Sequence, residues 1–112
     1  MIAFPKHKTE RNPGLIDRMK REIGHDEYNP GARGPLEGHH IEARGMGGCK
    51  GPDMRENIII LTGPVKYGAG NHGAAHRGEI PKASMYCIVA AREGITPEEC
   101  RRRVRRAMGY DV

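Results

Sequence analysis

The chain has few aromatic residues from which to build a core. Its 112 residues include no tryptophan and one phenylalanine, and hydrophobic residues make up 37% of the sequence. A chain of this length fits one domain, so we predict a single domain over residues 1–112 with a small aliphatic core. A bound metal ion would add noticeably to the stability of such a domain.

Long apolar runs and cysteine pairs are also absent. No segment approaches the roughly 18 apolar residues of a membrane span, and the first residues, Met-Ile-Ala-Phe-Pro-Lys-His-Lys, lack the apolar segment of a signal peptide. We therefore expect a soluble, cytoplasmic protein with no membrane partner. The three cysteines, Cys49, Cys87 and Cys100, are too widely spaced for a zinc knuckle, and we expect them to be reduced thiols.

Acidic residues are outnumbered by basic ones. Lysine and arginine total 19, aspartate and glutamate total 14, and the net charge is +5. This balance favours a polyanionic partner such as nucleic acid. Sixteen glycines and eight prolines indicate many turns rather than a long helical bundle.

The hydrophobic pattern predicts an α+β domain. Apolar residues recur at helical spacing over about 13–24, 81–93 and 97–108, and Thr96-Pro97-Glu98-Glu99 is typical of a helix start. The composition of residues 36–43 and 57–62 predicts two strands that can pair as an antiparallel hairpin. Residues 1–12 show no hydrophobic periodicity, and we expect them to form a loosely tethered arm.

Four of the six histidines form two pairs, His39-His40 and His72-x-x-x-His76. We expect Asn71 to cap a short helix whose two histidines lie on one face. Neutral imidazole is a common metal ligand, so the two pairs together predict a metal site. Adjacent strand residues point in opposite directions, and both members of the first pair can reach one site only if the backbone bends there.

Four segments resemble the motifs of HNH (His-Asn-His) endonucleases, including colicin DNases and small phage HNH proteins. They are Glu37-Gly-His-His-Ile, Arg44-Gly-Met-Gly-Gly, Asp53-Met-Arg-Glu-Asn57-Ile-Ile-Ile-Leu and Asn71-His72-Gly-Ala-Ala-His76-Arg-Gly. The resemblance covers residues 36–78 and implies a ββα-metal core with flanking N- and C-terminal helices. Two departures are an apparent insertion at residues 65–70 and the lack of the paired cysteines that hold a structural zinc in many relatives.

The resemblance also implies residue roles. His40 would be the general base, and His39 and His72 would be metal ligands, with His76 a further ligand. Asn57 would hold the geometry of strand and loop around the base. One divalent ion, Mg²⁺, Mn²⁺, Ni²⁺ or Zn²⁺, would act as a Lewis acid on the scissile phosphate. Glu37 would be the carboxylate that steadies a ligand histidine.

The expected partner is double-stranded DNA, cut or nicked by a monomer. Arg44 and Arg77 flank the predicted site and are expected to contact phosphates. The C-terminal helix carries five further arginines, which either bind the DNA backbone or form a solvated helix face: Arg101, Arg102, Arg103, Arg105 and Arg106. The likeness to phage proteins suggests phage packaging proteins as additional partners.

A different reading is a structural-zinc protein that binds nucleic acid without cutting it. In that case the four histidines would form a closed tetrahedral site, and loss of any one would do similar damage. The nuclease predicts an asymmetry between His40, needed for cleavage, and His72, needed for metal binding. A degenerate domain that acts only as an interaction module is disfavoured by the intact His40 and Asn57.

Overall fold

The computed structural model describes residues 9, 11–44 and 50–110 of the chain. Its regular elements in order are helix α1 (Leu15–Ile23), strand β1 (Leu36–His40), strand β2 (Ile58–Thr62), and helices α2 (Gly70–His76), α3 (Lys82–Glu93) and α4 (Pro97–Ala107). The predicted α+β class is confirmed, and the three predicted longer helices are present to within two residues. None of the helices in the described ranges is both long and apolar enough to cross a bilayer.

The two strands pair in the antiparallel sense that was predicted. Leu36 lies opposite Thr62, and His40 lies opposite Ile58. Every residue of β2 is buried, as suits a run of β-branched side chains. The predicted first strand is shorter than expected, because regular pairing ends at His40 rather than at Ala43.

The hairpin lies between two apolar clusters. Successive side chains of a strand point to opposite faces, so Ile58 and Ile60 pack with Leu15 and Met19 of α1. The alternate residues of β2 pack with α2, α3 and α4 in a larger cluster that includes Ile59, Leu61, Ala75, Met85, Val89, Cys100 and Val104. The strand alternation thus assigns one face of the hairpin to α1 and the other to the three later helices.

The start of α4 follows its sequence signal. The Thr96 hydroxyl oxygen accepts a hydrogen bond of 3.1 Å from the Glu99 backbone N–H, and Pro97 occupies the first turn. The Glu99 carboxylate turns away and binds Arg102 and Arg103 instead. In a capping box the glutamate would also bond the threonine N–H, so only the threonine half of that motif is formed here.

The start of α2 differs from the prediction. The helix begins at Gly70 with Ala69 at the capping position, and the Asn71 side chain donates a 3.0 Å hydrogen bond to Asp26. The predicted cap at Asn71 is therefore wrong, because Asn71 is the second residue of the helix and its side chain is held by the buried Asp26 carboxylate. Gly73, which weakens a helix, is required by packing: a Cβ there would lie 2.2 Å from the Gly68 carbonyl oxygen.

Asp26 is a fully buried carboxylate that joins three parts of the chain. Its Oδ1 accepts from the backbone N–H groups of Tyr28 and Asn29, both at 2.8 Å. Its Oδ2 accepts from the Thr62 N–H and hydroxyl at 2.8 and 2.9 Å, and from Asn71. Burial acts to raise the pKa of the Asp26 carboxyl, but these hydrogen bonds lower it below its ordinary value. The carboxylate therefore ties α2 to the end of β2.

The described part of the N-terminal segment is attached rather than loosely tethered. The Thr9 hydroxyl donates to the Lys50 carbonyl at 2.7 Å, and the Asn12 N–H donates to Asp53 Oδ2 at 3.0 Å. The rest of the predicted arm, residues 1–8 and 10, lies outside the described residues. So do residues 45–49, which contain most of the glycine-rich motif and one cysteine. The other two cysteines are free thiols.

Candidate metal centre

Three imidazoles converge on one point of the structure. His39 comes from β1, and His72 and His76 come from α2. Their ring centroids are 4.9 to 5.1 Å apart, and one ligand nitrogen from each lies within 4.8 Å of the other two. These three side chains could hold a metal ion, and they are the three that the motif resemblance nominates.

Local geometry explains the convergence. Residues four apart on a helix lie on one face, which brings His72 and His76 together on α2. Glu37 and His39 are two apart on β1 and therefore share the face that meets this helix. His39 and His72 are buried and His76 is exposed, so the centre opens to solvent on one side.

Burial keeps two of these rings uncharged at neutral pH. It lowers the pKa of His39 to about 4, and the neighbouring His72 and His76 lower it further in the same direction. Burial also lowers the pKa of His72, against the opposing effect of its bond to Glu37. The neutral ring is the form that binds metals, so the site does not have to lose two protons before binding.

Glu37 orients one of the three rings. Its Oε1 lies 2.8 Å from Nδ1 of His72 and also accepts a 2.9 Å bond from the Val65 N–H. An ionised carboxylate can only accept, so Nδ1 of His72 carries the proton and Nε2 is left for a metal ion. Gly63 leaves room for this carboxylate, since a Cβ there would lie 2.0 Å from Oε1.

His40 lies apart from the three rings. The pairing of β1 remains regular through His40, and the backbone bends directly after it, at Ile41 and Glu42. His39 and His40 border one cavity, but only His39 belongs to the group of three rings. Nε2 of His40 lies 2.8 Å from Oδ1 of Asp53. Asp53 is a neighbour of the site that no sequence pattern selected, and its one sequence signal is its place at the start of the motif Asp53-Met-Arg-Glu-Asn57-Ile-Ile-Ile-Leu.

Asn57 closes the base of the loop that follows β1. It is fully buried, and its Nδ2 donates to the carbonyls of Glu42 and Pro52, both at 3.1 Å. Its Oδ1 accepts a 2.8 Å bond from the Glu42 N–H. The side chain therefore holds the two ends of the 43–51 segment together and acts on the loop geometry without bonding the His40 ring.

His40 stands between two cavities. One of about 470 Å³ is bordered by His40 together with metal-centre and basic residues, including His39, His76, Arg44 and Lys82. The other, of about 240 Å³, is bordered by His40, Ala43, Gly51, Arg11, Arg44 and Lys50. Basic side chains therefore lie on both sides of the imidazole.

The arginines nominated as DNA contacts fall in different places. Arg44 borders both cavities beside His40. The Arg77 guanidinium donates to Glu79 and to the Gly68 carbonyl and borders neither cavity, so its DNA contact stays a prediction. The C-terminal arginines partly line a separate cavity of about 520 Å³ between α3 and α4, with Arg101, Arg102 and Arg105 at its edge.

Comparison of the chain with protein-family models, curated proteins and solved structures finds no match. The interpretation of the site therefore depends on its own geometry and on the motif resemblance.

Proposed function

We propose that the protein is a metal-dependent endonuclease of the HNH type that hydrolyses phosphodiester bonds in DNA. In this proposal β1, β2 and α2 form the ββα-metal core. The observation that carries it is a difference in surroundings among four histidines. Three rings could hold one ion, while His40 bonds a carboxylate outside that group.

The proposed chemistry requires an activated water, neutralisation of phosphate charge and help for the departing 3′ oxygen. His40 accepts the proton of the water, as a histidine can near neutral pH. A metal ion held by His39, His72 and His76 would supply Lewis acidity toward the phosphate. Glu37 fixes the ring of His72 in the tautomer that can bind the ion.

The ligand set bears on which ion is bound. Imidazole nitrogen suits zinc and nickel, whereas magnesium prefers oxygen ligands. Three imidazoles without a carboxylate among them therefore favour Zn²⁺ or Ni²⁺ over Mg²⁺ for this centre. Mn²⁺ resembles Mg²⁺ in its preference for oxygen ligands.

The charge around His40 supports a polyanionic substrate. Lys82 is paired with Glu42 at 2.7 Å, and Arg11 lies 3.5 Å from Asp53. Arg44 and Lys50 face each other in an isolated β-bridge. Within the described residues, neither has an acidic partner. Cations at the edges of a cleft that have no acidic partner among the described residues are suited to phosphate groups of a DNA strand.

The structural-zinc alternative needs a fourth protein ligand to close a tetrahedral site. Among the described residues, the three-histidine group and the separate bond of His40 to Asp53 support an open site instead. The two functions also differ in turnover, which makes them separable by experiment.

The test is conversion of supercoiled plasmid to relaxed or linear DNA in Mg²⁺, Mn²⁺, Ni²⁺ and Zn²⁺, with a chelator control. We expect cleavage by the wild-type chain, and we expect His40→Ala to lower its rate by roughly 10²- to 10⁴-fold, the usual contribution of a general base. His25→Ala is the matched control, since His25 is exposed and borders neither cavity beside His40.

Two results would contradict the proposal. Cleavage that survives the loss of His40 would overturn the assignment of the base. Absence of cleavage with every metal, together with metal-dependent folding, would favour the structural-zinc protein.

A further inference from the structure

The carboxylate of Asp53 is held on both of its oxygens. Oδ1 lies 2.8 Å from Nε2 of His40 and 3.5 Å from the Arg11 guanidinium, while Oδ2 accepts a 3.0 Å bond from the Asn12 N–H. Burial acts to raise the pKa of Asp53, but the bonds from Asn12 and His40 lower it below its ordinary value. The group is therefore ionised near neutral pH and has little freedom to turn away from the ring.

We propose that Asp53 is a positioning residue that sets the orientation and tautomer of His40. An ionised carboxylate can only accept hydrogen bonds, so Nε2 of His40 must carry the proton. This leaves Nδ1 as the nitrogen with a free lone pair on a ring that borders both cavities. The inference rests on the proposed function, since it states how the base of that site is prepared to take a proton from water.

The same contact stabilises the product of proton transfer. When Nδ1 takes a proton the ring becomes a cation, and an adjacent fixed carboxylate stabilises that charge. A backbone carbonyl in the same place would also fix the tautomer but would carry no full negative charge. Asp53 therefore contributes both to orientation and to charge balance.

The N-terminal segment fixes the position of Asp53. Besides the Asn12 bond to the carboxylate, Arg11 donates to the Gly51 carbonyl at 3.1 Å and Thr9 donates to the Lys50 carbonyl at 2.7 Å. These contacts join a distant part of the sequence to residues 50–53. The orientation of His40 thus depends on a segment outside the region of motif resemblance.

The first experiment reads the tautomer directly and needs no activity. The full chain is labelled with ¹⁵N-histidine, and the ring nitrogens are observed by NMR at mildly alkaline pH, with the His40 signal identified by its loss in His40→Ala. We expect the Nε2–H tautomer in the wild type and in Asp53→Asn, whose amide oxygen can still accept. We expect a mixture of tautomers in Asp53→Ala. An unchanged tautomer in Asp53→Ala, or Nδ1–H in the wild type, would overturn the inference.

The second experiment measures plasmid cleavage by the same variants. We expect Asp53→Ala to lower kcat on the order of 10- to 100-fold with KM and metal affinity near wild type, and Asp53→Asn to recover much of the loss. Asp17→Ala, which removes an exposed carboxylate of α1, controls for the change in charge. Equal kcat in Asp53→Ala and Asp17→Ala would overturn the catalytic part of the inference.

Failure of the inference and failure of the proposed function give different patterns. If His40→Ala abolishes cleavage but Asp53→Ala changes neither tautomer nor kcat, only the role of Asp53 is wrong. If no variant and no wild-type protein cleaves DNA with any metal, the proposed function is wrong, while the tautomer measurement still decides whether Asp53 orients His40.

Discussion

Two imidazole–carboxylate pairs lie on opposite faces of β1 and have the same length. His72 Nδ1 is 2.8 Å from Glu37, and His40 Nε2 is 2.8 Å from Asp53. The His72 side chain is 8% exposed and lies among two other imidazoles, whereas the His40 side chain is 27% exposed and borders two cavities with basic rims. In the proposed function, the same hydrogen bond prepares one ring to bind a cation and the other to exchange a proton, because their neighbours differ.

The separation of the two regions depends on one step along a strand. His39 and His40 are adjacent, and the alternation of side chains sends the first toward α2 and the second toward Asp53. A shift of one residue in the pairing of β1 with β2 would exchange them. Substitutions in each region in turn test whether the two regions act separately.

The largest expected effect is on metal affinity. His72→Ala removes one of three candidate ligands and the ring that Glu37 orients, so we expect Zn²⁺ affinity to fall more than 100-fold, beyond the roughly 10- to 100-fold typical of outer contacts alone. His40→Ala should leave the affinity within a few-fold of wild type. Competition with a chromogenic chelator measures both, and equal losses in the two variants would contradict the separation of the regions.

A stability effect should follow from loss of the buried carboxylate that ties α2 to β2. Asp26→Ala leaves the Thr62 N–H and the Asn71 amide without their acceptor, and we expect a loss of about 2–4 kcal/mol in the free energy of unfolding. Urea denaturation of the metal-free chain measures it. Asp17→Ala, at an exposed site, is the control, and a loss below about 0.5 kcal/mol in Asp26→Ala would contradict this account.

Acid should weaken the metal-free protein through the buried ring of His39. Its pKa of about 4 in the folded chain lies below the ordinary 6.5. As the pH falls from 6.5 toward 4, the unfolded chain therefore binds a proton at His39 that the folded chain does not bind. We expect about 2 kcal/mol of stability to be lost between pH 7 and pH 5. Urea denaturation at the two pH values measures the loss.

The control for this pH effect is His39→Gln, which cannot titrate and should flatten the dependence. The lowered pKa of His72 acts in the same direction, so part of the slope should remain. A slope in His39→Gln equal to that of the wild type would show that the ring is not the source.

The smallest expected effect concerns the salt dependence of DNA binding. Arg44 borders the cavities beside His40, and Arg101 borders the separate cavity between α3 and α4. Arg44→Gln should reduce the slope of log affinity against log salt by about one phosphate contact, and Arg101→Gln should reduce it less. Equal reductions would extend the DNA footprint onto α4, and no change in Arg44→Gln would contradict the proposed substrate position.

Features that depend on near neighbours in the chain were predictable. The buried stripes of α3 and α4, with Met85, Val89, Cys100 and Val104, follow from helical periodicity. The cap at Thr96 and the shared face of His72 and His76 follow from contacts three or four residues apart. The error at Asn71 arose because the helix begins one residue earlier, at Gly70, and a buried carboxylate from a distant loop holds the Asn71 side chain.

The sequence by itself determined the helices, the hairpin and the supply of imidazoles, because these depend on side-chain patterns within a turn or a strand. Only the tertiary structure decided that His40 pairs with Asp53, that Asp26 joins β2 to α2, and that the N-terminal segment holds residues 50–53 beside His40. Those contacts join residues 13 to 45 positions apart. They depend on the strand register and on which faces of the helices and strands pack together. Neither can be inferred from a local sequence pattern.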